Sequence, residues 1–143
     1  MPARSELEPL YRQTNYHISL PERLLILHVD DLHPLLDEWL RTEFHSCYAF
    51  ITACNPGSRR LSETENATRM DQLRATIRAA SYLVIPGEGV LGDWREASYL
   101  VPGVELDLAL GWARQFGQAA ILWGRPGGTP GLHWTEEAAD EAP

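Results

Sequence analysis

The stretch 47–66 constrains the fold most, because an apolar segment there leads through a turn into a marked helix start. Residues 47–54 alternate between two faces, one of them built from small apolar side chains, as in a strand that lies beneath a helix. Residues 55–58, Asn-Pro-Gly-Ser, have the composition of a turn. Ser62 and Glu65 have the spacing of a capping box at a helix N-terminus. The stretch therefore predicts a strand, a turn and a helix in succession.

Hydrophobic periodicity predicts the remaining elements. From residue 47 onward their order is strand, helix, strand, strand, helix, strand, which is the split βαβ or ferredoxin-like topology (βαββαβ) of an α+β protein. Both helices are expected on one face of an antiparallel sheet, with an added N-terminal strand and helix segment at its edge or on its open face. The predicted strands are residues 11–18, 24–29, 47–54, 81–85, 97–101, 119–123 and 132–134, and the predicted helices are residues 32–43, 63–80 and 105–116.

The chain has 143 residues, which predicts a single domain. We expect residues 1–10 to form a flexible lead-in and residues 11–135 to form one α+β domain. Residues 136–143 are acidic and lack large apolar side chains, so they are expected to be a disordered tail.

Two local patterns bear on the connections. Residues 87–92 match the G-x-G-x-x-G pattern of dinucleotide sites. That motif opens a helix, whereas a strand is predicted to follow here, so we interpret the segment as a flexible connection between adjacent antiparallel strands. Earlier in the chain, Asp30 or Asp31 is the predicted N-cap of the first predicted helix, with Pro34 in its first turn.

Charge and cysteine content limit the function classes. The formal net charge of −8 opposes general nucleic-acid binding, and the absence of lysine excludes a Schiff-base lysine. Cys47 and Cys54 are an odd number of positions apart on one predicted strand, so they should not pair with each other or share a metal ion. Two reduced cysteines, no apolar run of membrane-spanning length and no signal-peptide core predict a cytoplasmic protein.

A set of motifs between residues 11 and 134 resembles the domain of unknown function family 3293, a family of small bacterial proteins. That family has no established activity, so the resemblance implies no reaction, cofactor or partner. The residues that carry the resemblance are Tyr11-x-x-Thr14-x-Tyr16, Phe50-Ile51-Thr52-Ala53-x-Asn55-Pro56, Ser58, Leu61-Ser62, Asn66, Leu73, Trp94-x-Glu96-x-Ser98 and Phe116-Gly117-Gln118-x-Ala120.

The first group of candidate ligand-binding residues surrounds the turn after residue 54. Thr52, Asn55, Ser58 and Arg59 lie at a predicted strand end, just before a helix N-terminus whose free N–H groups attract anions. Arg59 adds a guanidinium that can bind phosphate or carboxylate. The alternative is that Asn55 only shapes the turn.

The second group comes from neighbouring elements. Asn66 is a mediocre helix former near the start of a helix, where its amide would contact a ligand or satisfy backbone in the loop 87–93. Trp94 and Glu96 share a strand face, and a carboxylate beside an indole can act as an acid or base; the alternative is an ordinary surface carboxylate. Gln118 offers another amide, or only holds backbone carbonyls.

These residues support one main hypothesis, a small domain that binds a polar or anionic, nucleotide-like ligand at the end of the sheet. One alternative is an enzyme that uses Glu96 as general acid or base at the same site. Others are an RNA-binding module that stacks bases on Tyr48 and Phe50, and a module that dimerises through an edge strand. Histidine spacing predicts no metal site, and no cofactor is predicted.

Overall fold

The structure is a computed structural model that describes residues 2–135. In this part of the chain, four α-helices accompany one seven-stranded antiparallel sheet, so the fold is α+β. The strand order is β2-β1-β4-β5-β3-β6-β7. The elements are α1 (Arg4–Gln13), β1 (Asn15–Ser19), β2 (Leu24–Leu27), α2 (Pro34–Thr42), β3 (Tyr48–Ile51), a 3₁₀ turn (Pro56–Ser58), α3 (Glu63–Ala79), β4 (Ile85–Leu91), β5 (Trp94–Pro102), α4 (Leu106–Gln115), β6 (Ala120–Gly124) and β7 (Gly131–Trp134).

The sheet is covered on both faces. On one face, α3 and α4 bury Leu73 and Trp112 against Ala49 and Ile51 of β3, as the alternation of residues 47–54 predicts. On the opposite face, α2 helps to enclose Tyr48 and Phe50, which are 1% and 4% exposed. Because both rings are buried, they are not available to stack bases, and the observation that motivated an RNA-binding module is removed.

Residues 4–10 belong to helix α1, which corrects the expectation of a flexible lead-in for this part of residues 1–10. In α1, Leu7 is buried against Ala119 of the loop before β6. One turn later, the Tyr11 ring meets the Trp134 ring edge to face, with centroids 5.7 Å apart. These contacts are formed with the far end of the chain, and they stabilise a short helix that contains Pro9.

The strand predicted at residues 81–85 begins only at Ile85, and the glycine-rich segment is itself strand β4. It pairs with β5 from Ile85 opposite Leu100 to Leu91 opposite Trp94, which leaves a two-residue turn. A Cβ at Gly87 would lie 2.5 Å from the His17 carbonyl oxygen. The glycine therefore allows close packing inside the sheet, and the predicted flexible connection over residues 87–92 is wrong.

The helix ends match the sequence patterns in part. Ser62 and Glu65 form the predicted capping box, with hydrogen bonds of 3.1 and 3.3 Å. The predicted cap of the helix at residues 32–43 is wrong, because the His33 ring accepts the Leu36 N–H at 3.2 Å. Asp30 instead turns away at a φ of 65° and donates its N–H to the Pro130 carbonyl.

The predicted tail, residues 136–143, lies outside the described residues. Within residues 2–135, none of the helices combines the length and the apolar character needed to cross a bilayer.

Candidate functional site

A cavity of about 420 Å³ lies between α1 and the sheet, on the face that also carries Tyr48 and Phe50. Its walls are mostly apolar: Leu7, Leu10 and Tyr11 come from α1 and Phe50 from the sheet. Thr14, just before β1, adds one hydroxyl to the lining, and the other polar, non-aromatic side chains come from the ends of β3 and β5, the 3₁₀ turn and the start of β6. They are Thr52, Asn55, Ser58, Glu96, Ser98 and Gln118.

The alternation of β5 places its polar residues in this cavity. Trp94, Glu96 and Ser98 share one face because side chains two positions apart point the same way. The same face continues to Leu100, which is fully buried in the core under α2. The strand thus begins early enough, at Trp94, for all three polar or aromatic positions to line the cavity.

Asn55, Asn66 and Glu96 form one hydrogen-bonded network. Asn55 donates from Nδ2 to Glu96 Oε2 at 2.9 Å, and its own Oδ1 accepts from Leu61 N–H and from Asn66 Nδ2, both at 2.9 Å. Asn66 Oδ1 in turn accepts the backbone N–H of Asn55 at 2.9 Å. Three residues from a turn, a helix and a strand are therefore locked together at one end of the cavity.

The backbone of Asn55 explains why asparagine suits this position. Its φ of 50° and ψ of 60° are left-handed, a conformation that asparagine adopts more readily than most other non-glycine residues. Gly57 and Ser58 follow at φ values of 64° and 62°. Asn55 itself is 7% exposed, so its three side-chain hydrogen bonds form in a mostly buried setting.

Glu96 is the half-buried carboxylate at this end of the cavity. Burial raises its pKa above the ordinary value, while hydrogen bonds from the Asn55 and Trp94 side chains partly oppose that rise. Burial, and to a smaller extent the charge of Glu96, also raises the pKa of the Tyr11 hydroxyl across the cavity. An acidic group with a raised pKa can accept a ligand proton or donate one nearer to neutral pH than an exposed glutamate.

The cavity collects six of the eight side chains that the sequence singles out. Arg59 is exposed and does not line it, and Asn66 stands behind Asn55. Two of the lining residues also donate hydrogen bonds to backbone carbonyl groups. For Gln118, this is the alternative role considered in the sequence analysis. Gln118 Nε2 donates to the Cys54 carbonyl at 2.9 Å, and Thr52 Oγ1 donates to the Ala97 carbonyl at 2.7 Å.

Several residues of the site were not predicted from the sequence. Leu7, Leu10 and Tyr11 reach the cavity only because α1 folds over the sheet. The Tyr11-x-x-Thr14-x-Tyr16 motif was visible, and its three named residues all line the cavity. Arg60, rather than Arg59, lies near Trp94, with its guanidinium carbon 5.1 Å from the ring centroid.

The chemistry available here is that of one carboxylate among hydroxyl, amide and aromatic groups. Throughout residues 2–135, the structure brings together no group of three histidine, cysteine or acidic side chains that could hold a metal ion. Cys54 is buried next to this region, and burial raises the pKa of its thiol. The carboxylate of Glu96 is therefore the group best placed to exchange a proton or a charge-assisted hydrogen bond with a ligand.

Comparison with known proteins tests the resemblance. Neither the curated proteins nor the solved structures include a significant match to the chain. The model of a protein family described as "Protein of unknown function (DUF3293)" matches residues 51–121, a segment that contains Asn55, Asn66, Glu96 and Gln118. Through residues 51–121, the chain belongs to the protein family of unknown function DUF3293.

Proposed function

We propose that this protein binds a small organic molecule in the cavity between α1 and the sheet. The observation that carries the proposal is the composition of the lining, with apolar walls and a few convergent polar groups at one end. Ligand sites are typically concave and mostly apolar, and a volume of 420 Å³ falls within their usual range of about 300–1,000 Å³.

The lining changes the ligand expected from the sequence. The sequence favours a polar or anionic, nucleotide-like ligand, because a helix N-terminus, Arg59 and several amide side chains were expected to converge there. Since Arg59 is exposed outside the cavity and Glu96 lies inside it, an anion in the cavity would be repelled by a carboxylate without a facing arginine. The ligand that we propose is largely apolar, with a hydrogen-bond donor directed at Glu96.

We also propose that β3 to β6 form a ferredoxin-like unit. The strand order β4-β5-β3-β6, all antiparallel, supports this assignment, as does the packing of α3 and α4 on one face.

The domain boundary that we propose lies before residue 11, because α1 closes the cavity. Two buried, free thiols support a reducing cytoplasmic compartment.

Gly89 provides a direct test of the cavity. It lies opposite both Tyr16 and Glu96 in the sheet, so a side chain added there points to the cavity face. A Cβ would meet Thr14 Cγ2 at 3.6 Å, which is an ordinary contact. Gly89→Leu should therefore fill the cavity, and the matched control Gly89→Ala should leave most of it open.

The experiment is a screen of small aromatic and aliphatic compounds by thermal shift and ligand-observed NMR. A ligand that binds only the native state raises its melting temperature. We expect compounds that stabilise the wild type and Gly89→Ala to lose their effect on Gly89→Leu, provided that all three proteins unfold cooperatively. Equal binding to Gly89→Leu would refute this location.

A second candidate function is an enzyme in which Glu96 acts as general acid or base. The raised pKa and the position of Glu96 at the cavity wall favour it. Any compound from the screen that is chemically converted provides the assay. Glu96→Gln, which retains shape and loses the titrating proton, should then abolish conversion while binding persists, and unchanged conversion would exclude this role.

A further inference from the structure

The geometry points to a ligand class: a small organic amine or amidine, in which a cationic nitrogen at Glu96 is attached to an apolar body. This inference rests on the proposed function, because it concerns the same cavity. It goes further in assigning a charge to the ligand and a single residue that selects it.

The charge inventory of the cavity is one-sided. Among the described residues that line it, Glu96 is the one acidic side chain, and neither arginine nor histidine is present. The guanidinium of Arg60 lies over the Trp94 ring, but Arg60 is exposed to solvent and does not line the cavity. A cationic nitrogen would therefore meet an opposite charge that no lining cation already neutralises.

The hydrogen-bond network fixes Glu96 as an acceptor. The Leu61 backbone N–H can only donate, so the Asn55 side-chain oxygen must face it at 2.9 Å. The NH₂ group of Asn55 is then turned toward Glu96 Oε2. A carboxylate offers about four acceptor positions, so the hydrogen bond from Asn55 leaves capacity for a donor from a ligand.

The rest of the lining suits an apolar body beside a cation. The rings of Tyr11, Tyr16, Phe50 and Trp94 line the cavity, and those of Tyr16 and Phe50 meet edge to face, with centroids 5.4 Å apart. Aromatic faces attract cations, as in sites for quaternary ammonium groups. A neutral apolar ligand would desolvate the carboxylate without a compensating partner, and an anion would be repelled by it.

The test uses three matched probes: 3-phenylpropylamine, 3-phenylpropan-1-ol and 3-phenylpropionate. They share a phenylpropyl body and differ in a cationic, neutral or anionic end. Affinities for the wild-type protein are measured at neutral pH by titration calorimetry and ligand-observed NMR. We expect the amine to bind at least about tenfold tighter than the alcohol, because charge-assisted hydrogen bonds are stronger than neutral ones. We expect the carboxylate to bind most weakly.

The variant Glu96→Gln should lower amine affinity by about tenfold and leave alcohol affinity nearly unchanged. Glu88→Gln is the charge-matched control, because Glu88 pairs with Arg95 and, opposite Ala97, lies on the other sheet face. The comparison of the three probes on wild-type protein needs no variant, so a folding defect in Glu96→Gln would not invalidate the test.

The outcomes separate the two proposals. Alcohol or carboxylate binding as tight as amine binding, or an amine affinity that Glu96→Gln does not change, would overturn the cationic class and leave the cavity as a ligand site. The absence of binding by all three probes to the wild-type protein would count against the proposed function itself, and the inference would fall with it.

Discussion

The substitution Asn66→Ala should destabilise the protein, although it replaces a mediocre helix former with the best one. Asn66 lies in the second turn of α3, where its side chain makes two hydrogen bonds to one residue, Asn55. One accepts the Asn55 backbone N–H, and the other donates to the Asn55 side-chain oxygen, each at 2.9 Å. Alanine removes both.

The expected loss is the sum of two destabilising contributions and one that partly offsets them. Leaving the N–H of the buried Asn55 without its acceptor costs about 1–3 kcal/mol. Losing the second hydrogen bond costs about 0.5–1 kcal/mol, less than average because the Asn55 oxygen still accepts from Leu61. The higher helix propensity of alanine returns up to about 0.7 kcal/mol. The free energy of unfolding should therefore fall by about 2 kcal/mol.

Urea denaturation followed by far-UV circular dichroism measures this loss. The matched control is Thr68→Ala on the same helix, where the exposed hydroxyl bonds only to the carbonyl of Thr64. That change should stay within about 0.5 kcal/mol of the wild type. If Asn66→Ala were no more destabilising than Thr68→Ala, the network would contribute nothing to stability and the reasoning would be refuted.

Three further outcomes follow from the same structure. Gly87→Ala should lower the free energy of unfolding, measured in urea, by about 2 kcal/mol, because the added Cβ would clash with the His17 carbonyl oxygen. Gly111→Ala, where an added Cβ meets no atom within 4 Å, should raise it by up to about 1 kcal/mol. The reverse order would contradict the close approach of Gly87 to β1. In Asn55→Gly, glycine can adopt the same positive φ, and the hydrogen bond from the Asn55 side chain to Glu96 is lost. NMR titration should therefore show the pKa of Glu96 above its wild-type value. Urea titrations across pH should show wild type losing stability relative to Glu96→Gln as pH rises from the ordinary glutamate pKa through the raised folded one, and parallel curves would argue against that shift.

The sign of the last prediction follows from the direction of the shift. A raised folded-state pKa means that the folded protein holds the Glu96 proton more tightly than the unfolded chain does. Stability from this group is therefore complete below the ordinary pKa and is lost as pH rises through the folded value. The neighbouring hydroxyls of Tyr11 and Tyr16 and the thiol of Cys54 have raised pKa values, so they titrate well above that window.

The parts of the fold that depend on local rules could be predicted from the sequence. The capping box at Ser62 and the two faces of β3 require only neighbours a few positions apart. The convergence of Asn55 and Glu96 was also foreseeable, because the end of one predicted strand and the face of another were assigned to one end of the sheet. Their hydrogen bond at 2.9 Å places them in direct contact, but their role in binding stays a prediction.

The remaining features depend on contacts between distant parts of the chain. Leu7 packs on Ala119, more than a hundred residues later, so no local pattern indicates that α1 closes a cavity. The consecutive positive φ values of Gly57 and Ser58 turn the chain before α3. A serine rarely adopts such a value, so no local pattern indicates that Arg59 lies outside the cavity and Arg60 beside Trp94.

Asn55 connects the stability of the fold to the chemistry of the cavity. Its amide is oriented by the Leu61 N–H and by Asn66, and that orientation directs its NH₂ group to Glu96. Glu96→Gln removes the charge and leaves this support intact, so it should change ligand selectivity much more than stability. Asn66→Ala leaves the charge and removes part of the support, so it should lower stability and weaken ligand binding together. If Asn66→Ala changed stability alone, the position of Glu96 would not depend on the turn, and the network would serve only folding.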